Sequence, residues 1–191
     1  MSFQAGQAKT FAFLSAVLGL LASPATDAAV NDIVNYRGYT ETFASSGQPS
    51  EQQLQDAQAA GFERVVYIAF SDHRNSLPRE DRIVKNLGLE YVQIPVIWDA
   101  PTHGDYEAFA AVMQRNPSKK TLLHCQVNYR ASAFAFLYRV LHDGVGVADA
   151  KADMNAVWTP NDKWTQFVRE VLSTHGISPD CEGCDWTPAN L

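Results

Sequence analysis

A chain of 191 residues with 46% apolar and 19% charged residues has the length and balance of one globular domain with a substantial core. A net charge of -6 excludes general electrostatic attachment to nucleic acid or to an anionic membrane, while leaving room for a local basic pocket. The chain shows no internal repeat, low-complexity tract or second domain.

Residues 1–28 read as a secretory signal peptide. Lys9 precedes an apolar run over 10–22 that is too short to span a bilayer, and small residues follow up to a cleavage site after Ala28. The expected mature protein is exported, to a bacterial periplasm, with no stable membrane span after cleavage. Two short strands are expected over 33–43, then turn residues over 45–49. Ser50 is placed to cap a helix over 51–60, with Gln53 completing a capping box and Gly61 ending the helix. The apolar run over 64–70 reads as a strand buried on both faces. The loop after it places Asp72, His73 and Arg74 at the strand end where ligands gather in α/β sheets. A helix over 79–87 and a strand over 89–96 follow.

Residues 98–105 are a polar turn carrying Asp99, His103 and Asp105. A helix over 106–115 presents Phe109, Val112 and Met113 on one face, and Asn116-Pro117 breaks it. Lys119 and Lys120 open the next strand and are expected to be solvated. Residues 131–142 are apolar nearly all round, as in a central buried helix. A helix over 147–157 comes next. Thr159 and Pro160 are expected to start a last helix, whose stripe of Trp164, Phe167, Val168, Val171 and Leu172 belongs to the core. The alternation predicts an α/β single domain over 30–178, with a mainly parallel central sheet flanked by helices. A tail over 179–191 carries Cys181 and Cys184.

The stretch that organises the chain is Thr121-Leu122-Leu123-His124-Cys125-Gln126-Val127-Asn128-Tyr129-Arg130-Ala131-Ser132. A strand ends in His-Cys, a short loop follows, and Arg130 stands where the buried helix begins. Amides of such a loop and the positive end of a helix dipole favour an anion. A cysteine at the start of the loop feels the same field, which favours the nucleophilic thiolate. An arginine at the loop's end offers a planar fork for phosphate or sulfate oxygens.

His124-Cys125 followed by Arg130 and Ser132 resembles the signature of the cysteine-dependent protein tyrosine and dual-specificity phosphatases. Ser46-Gly47-Gln48-Pro49-Ser50-Glu51-Gln52-Gln53-Leu54, Ala60-Gly61-Phe62-Glu63-Arg64-Val65-Val66 and Ile94-Pro95-Val96 extend the resemblance to a bacterial branch of phosphatase-like proteins. The family pattern has five residues between cysteine and arginine, usually with a glycine; here Gln126 to Tyr129 are four, with no glycine. Arg130 therefore stands one place early, a rotation of about 100° on a helix. Asn128 is the residue suited to supply the positive φ of the missing glycine.

The resemblance implies a nucleophile Cys125, with Arg130 and the amides of Gln126, Val127, Asn128, Tyr129 and Arg130 on the phosphate oxygens. It implies Asp99 as the acid for the leaving group, with Asp105 second and His103 a weaker third. His124 would hold the loop through backbone hydrogen bonds, and Ser132 would face the departing sulfur. It calls for no metal and no cofactor, and its partner is a phosphorylated protein or small molecule. Two other readings stay open. A rhodanese-type sulfurtransferase also sets a cysteine in a cradle of about this loop length. A contracted loop is also compatible with an inactive, anion-binding relative. In an oxidising compartment Cys181 and Cys184 are able to form a disulfide, leaving Cys125 as the free thiol. His175 would be a third ligand beside that pair, but no fourth is evident.

Overall fold

The computed structural model describes residues 30–188. The expected signal peptide and its cleavage site lie outside the described residues. Five strands form one sheet: β1 (Arg37–Thr40), β2 (Phe43–Ser46), β3 (Arg64–Tyr67), β4 (Glu90–Gln93) and β5 (Thr121–His124), in the spatial order β1-β2-β5-β3-β4. β1 pairs with β2 as an antiparallel edge hairpin, and every other pairing is parallel. The helices are α1 (Glu51–Ala59), α2 (Glu80–Asn86), α3 (His103–Arg115), α4 (Tyr129–Leu141), α5 (Val147–Asn155) and α6 (Asp162–Thr174). This is the α/β domain with a mainly parallel central sheet that the alternation predicts.

Strand side chains alternate between two buried faces. Phe43, Val66 and Leu123 pack against Phe109, Phe134, Leu137 and Trp164, so α3 to α6 cover one face. Ala44 and Leu122 meet Ile33, Ala57 and Phe62 on the other. Val65 joins Leu54, Val84 and Leu89 there, under α1 and α2. Each such side chain stabilises the fold by about 1.5–3 kcal/mol relative to an exposed one. α4 is buried without interruption from Ala131 to Val140, as its all-round apolar pattern predicts.

The register levels the strand ends. His124 pairs with Ser46 on one side and Tyr67 on the other, and Tyr67 pairs with Gln93. Cys125 is therefore the first residue past a common edge, where the carboxyl ends of four strands meet.

Several boundaries differ from the sequence reading for local reasons. β3 stops at Tyr67 because its partners end at Gln93 and His124. In β4, the Ile94 amide still bonds the Tyr67 carbonyl at 2.9 Å, but Pro95 has no N–H to continue the ladder. α3 begins a turn earlier than expected because Thr102 is its cap: Thr102 Oγ1 accepts from the Asp105 amide at 3.1 Å, and the Asp105 carboxylate accepts from the Thr102 amide at 2.9 Å. α6 starts after Asn161, whose side chain takes the Trp164 amide at 3.1 Å, so Thr159 and Pro160 precede the helix rather than open it. The box of Ser50 and Gln53 on α1 is formed as expected. Lys119 and Lys120 are not freely solvated. Lys119 Nζ bonds Glu90 at 3.1 Å; Lys120 Nζ donates to the Ala60 carbonyl at 2.8 Å and lies 4.7 Å from the Phe62 ring centroid.

Arg64 is fully buried at the start of β3, and its charge is met by Glu90 at 3.2 Å. Glu90 also binds Lys119 and Arg115. Burial alone would raise the Glu90 carboxyl, but hydrogen bonds from Lys119 and Arg64 outweigh it and hold the group below its ordinary value of 4.5. Glu90→Gln should cost about 2 kcal/mol by leaving the Arg64 charge uncompensated. A carboxylate with a depressed folded pKa contributes its full stability at neutral pH and loses it as pH falls from about 4.5 through the folded value. Urea unfolding of wild type and variant across pH 3–7 checks this: the gap between them should narrow in acid, and a constant gap would remove Glu90 from the acid response.

Candidate active site

Cys125 is fully buried directly after β5, and its amide donates to the Ser46 carbonyl at 3.3 Å. Three residues then carry the chain into α4. The turn is made at Asn128, which has φ 70° and ψ 0°, the left-handed conformation expected of it in place of glycine. Asparagine tolerates that region better than other residues with a Cβ. Its side chain is also tied down: Asn128 Nδ2 donates to the Asn35 carbonyl at 2.5 Å, and Asn35 Nδ2 donates to the Val127 carbonyl at 3.0 Å. This reciprocal clasp joins the loop to the segment ahead of β1.

The other side of the loop is closed by Gly47 and Gln48. The Gln48 amide donates to the Gln126 carbonyl at 3.0 Å, and the Gly47 amide to the Val34 carbonyl at 2.6 Å. A Cβ on Gly47 would lie 2.9 Å from the Gln126 carbonyl oxygen and 3.0 Å from Val34 Cβ, so the close approach requires glycine. Among the described residues, the amides of Gln126, Val127, Tyr129 and Arg130 donate to no protein acceptor. They border the N-terminus of a long buried helix, an arrangement that suits a bound oxyanion.

Arg130 is the second residue of α4. Its Nη1 donates to Gln126 Oε1 at 2.7 Å, and its guanidinium lies 5.2 Å from the Trp98 ring centroid. Its Nε is buried without a partner among the described residues, a donor left over for an anion. Gln126 Nε2 in turn donates to Tyr67 Oη at 3.0 Å. Burial pushes the Tyr67 phenol up, so it stays protonated and its hydroxyl bonds the Phe70 carbonyl at 2.9 Å. A hydrogen-bonded path thus runs from the guanidinium through the loop to the end of β3.

His124 is fully buried, with its ring stacked on Tyr67 at 4.7 Å. Among the described residues its side chain makes no backbone hydrogen bond of the kind the resemblance implies. Its Nε2 instead lies 3.2 Å from the buried Glu80 Oε1, outside hydrogen-bond geometry, and Gln48 Nε2 donates to the same oxygen at 2.9 Å. Ser132 sits one turn into α4. Its hydroxyl donates to the Tyr129 carbonyl at 3.1 Å and accepts from Trp158 Nε1 at 3.1 Å, so its one proton is engaged away from the sulfur.

Asp99 is exposed in the turn that follows Trp98. The Trp98 carbonyl accepts from Trp164 Nε1 at 3.0 Å, which fixes that turn to α6, and the Trp98 ring contact with Arg130 brings the turn to the loop. Asp105 is occupied by the α3 cap, and His103 faces Glu107, so neither is brought to the cysteine. Arg74 lines an open groove together with Val34, Gln48, Gln126 and Val127 beside the loop. Asp72 and His73 are exposed on the same segment. Cys181 and Cys184 form a disulfide in the tail, and Cys125 is the free cysteine.

Sequence reasoning missed Glu80, Tyr67, Trp98 and Asn35. Glu80 falls in a short expected helix, Asn35 and Tyr67 in expected strands, and Trp98 in a polar turn; only the packing of separate segments reveals their place at the site. Gly47 had a signal, since glycine between Ser46 and Gln48 is the one residue without a Cβ in that turn.

The family described as "DSP-PTPase phosphatase fused to NAD+ Kinase" matches residues 23–186. No curated protein sequence matches the chain. Among solved structures, a candidate phosphatase from Shewanella putrefaciens is 31% identical, covers 78% of this chain and 97% of its own, and superposes with a TM-score of 0.70. P. aeruginosa TpbA, a cysteine-to-serine variant in complex with phosphotyrosine, is 19% identical, with coverage of 74% and 88% and a TM-score of 0.58. The catalytic domain of the S. cerevisiae PP-IP phosphatase SIW14, in complex with citrate, is 11% identical, with coverage of 75% and 94% and a TM-score of 0.59. The last two are likenesses of fold.

Removing the loop's special conformations should expose their weight. Asn128→Ala should destabilise the protein by about 1–2 kcal/mol, combining the left-handed penalty with the lost Asn35 bond, and Asn128→Gly by less. Gly47→Ala should displace the Gln126 carbonyl and weaken vanadate binding at least tenfold. Thermal melts and vanadate titrations check these effects; an unchanged vanadate affinity in Gly47→Ala would show that the loop does not depend on the close approach.

Proposed function

Because this chain belongs to the DSP-PTPase family of phosphatase domains, we propose that it hydrolyses phosphate monoesters through Cys125. The observation that carries the reading is a buried free cysteine at the mouth of a loop where the amides of Gln126, Val127, Tyr129 and Arg130, together with Arg130 Nε, have no acceptor among the described residues. The Cys125 thiolate attacks phosphorus, an S–P bond forms, and the bond to the leaving oxygen breaks. Asp99 gives its proton to that oxygen. Water then attacks phosphorus, Asp99 takes its proton, and the S–P bond breaks to return the thiolate and release inorganic phosphate. Charge on the equatorial oxygens is met by the loop amides and by the Arg130 guanidinium.

With Nη1 engaged by Gln126, the arginine has Nε and Nη2 to offer. The substrate is a phosphorylated protein or small molecule. Trp98 and Tyr129 beside Arg130 supply an apolar wall that suits an aryl ester. TpbA with its phosphotyrosine fits the same class. The relatives are phosphatases, which favours phosphoryl over sulfuryl transfer. Export, as read from residues 1–28, fits the tail disulfide, since such bonds persist in oxidising compartments.

The test is hydrolysis of an aryl phosphate by the reduced protein. Cys125→Ser should abolish turnover, and Asp99→Asn should lower kcat by about 10²-fold or more. A folded wild type without turnover would sink the enzyme reading. Full activity in Asp99→Asn would take that residue out of the mechanism.

A further inference from the structure

Away from the loop, the first turns of α3 meet the end of α6. We infer that His103, Glu107 and His175 form a binding site for a divalent zinc-type ion that plays no part in the phosphoryl step. Both imidazoles converge on one carboxylate oxygen: His103 Nε2 lies 3.3 Å from Glu107 Oε1, and His175 Nε2 lies 3.1 Å from it. The three ligand atoms lie within 4.8 Å of one another. Neighbouring ligands of a tetrahedral zinc, at about 2.0–2.1 Å from the metal, stand about 3.3 Å apart. Two of the three spacings already match that edge.

The tautomer of His175 strengthens the case. Its Nδ1 is 2.9 Å from the Val171 carbonyl, which can only accept. Nδ1 therefore carries the proton, and Nε2 of the neutral ring presents a lone pair to a carboxylate oxygen. Two acceptors facing each other at 3.1 Å need a cation between them, either a proton on the ring or a metal ion. A backbone carbonyl on the far ring nitrogen is also the partner that orients metal-bound histidines. The His103 and His175 rings lie edge to face, with centroids 5.2 Å apart, so both nitrogens can turn to one centre. Spacing of i and i+4 places His103 and Glu107 on one face of α3. Two imidazoles and a carboxylate suit zinc, and the partly exposed position leaves the fourth ligand to water.

The site ties the residue that closes α6 to the start of α3, just beyond the Asp99 turn. Equilibrium dialysis of the full mature protein against Zn²⁺ tests the proposal, with Co²⁺ as a spectroscopic probe. One equivalent should bind, with the visible absorption of a tetrahedral cobalt site. His175→Ala and Glu107→Gln should each weaken binding at least tenfold; Glu107→Gln keeps the size and polarity of the side chain and guards against a folding artefact. Absence of binding at 0.1 mM Zn²⁺ would overturn the proposal in favour of a protonated histidine. Equal binding by both variants would overturn it too, and would place the ion at other residues.

Discussion

The structure depends on one turn: the passage from β5 into α4 in four residues, Cys125 to Asn128, with Asn128 in the left-handed region. Asn128 holds a conformation that residues with a Cβ rarely adopt, and it survives only where its surroundings determine it. Here Asn35 and Gly47 do so from either side, one through paired side-chain hydrogen bonds and one through the absence of a Cβ. The level strand ends set the stage, because they place Ser46, Tyr67 and His124 around the same cysteine. Ser46, His124 and Asn128 are polar and buried, so each carries a cost unless its partners are in place.

The short loop changes what Arg130 has to do. One residue fewer than the family pattern rotates its Cα by about 100° around the helix. The side chain answers by folding back on Gln126 and against Trp98. A guanidinium fixed by a hydrogen bond and an aromatic face has less freedom to lose when an anion arrives. Its orientation is inherited from the loop itself, since its anchor is the first residue after the cysteine.

Much of this was legible in the sequence, for identifiable reasons. The apolar runs ending near Tyr67 and His124, the box of Ser50 and Gln53, and the all-round apolar α4 follow from periodicity and capping chemistry. Asn128 was legible because so few residues accept a positive φ. What was not legible depends on distant segments meeting. Glu80 comes to His124 from a short helix 44 residues earlier in the chain, and Trp98 reaches Arg130 from another loop. The caps at Thr102 and Asn161 were misplaced by a turn or less, because Asp105 and Thr159 offer equally good local chemistry until packing chooses.

Trp98 also couples two parts of the site that sequence treats as separate. Its ring lies on Arg130, its carbonyl is held by Trp164, and the next residue is Asp99. Any shift of the guanidinium on taking an anion is felt by the ring and so by the turn that carries the carboxylate. The position of Asp99, the carboxylate proposed as the acid, is then tied to the same aromatic contact that steadies Arg130, and both rest on one side chain that carries neither charge nor nucleophile.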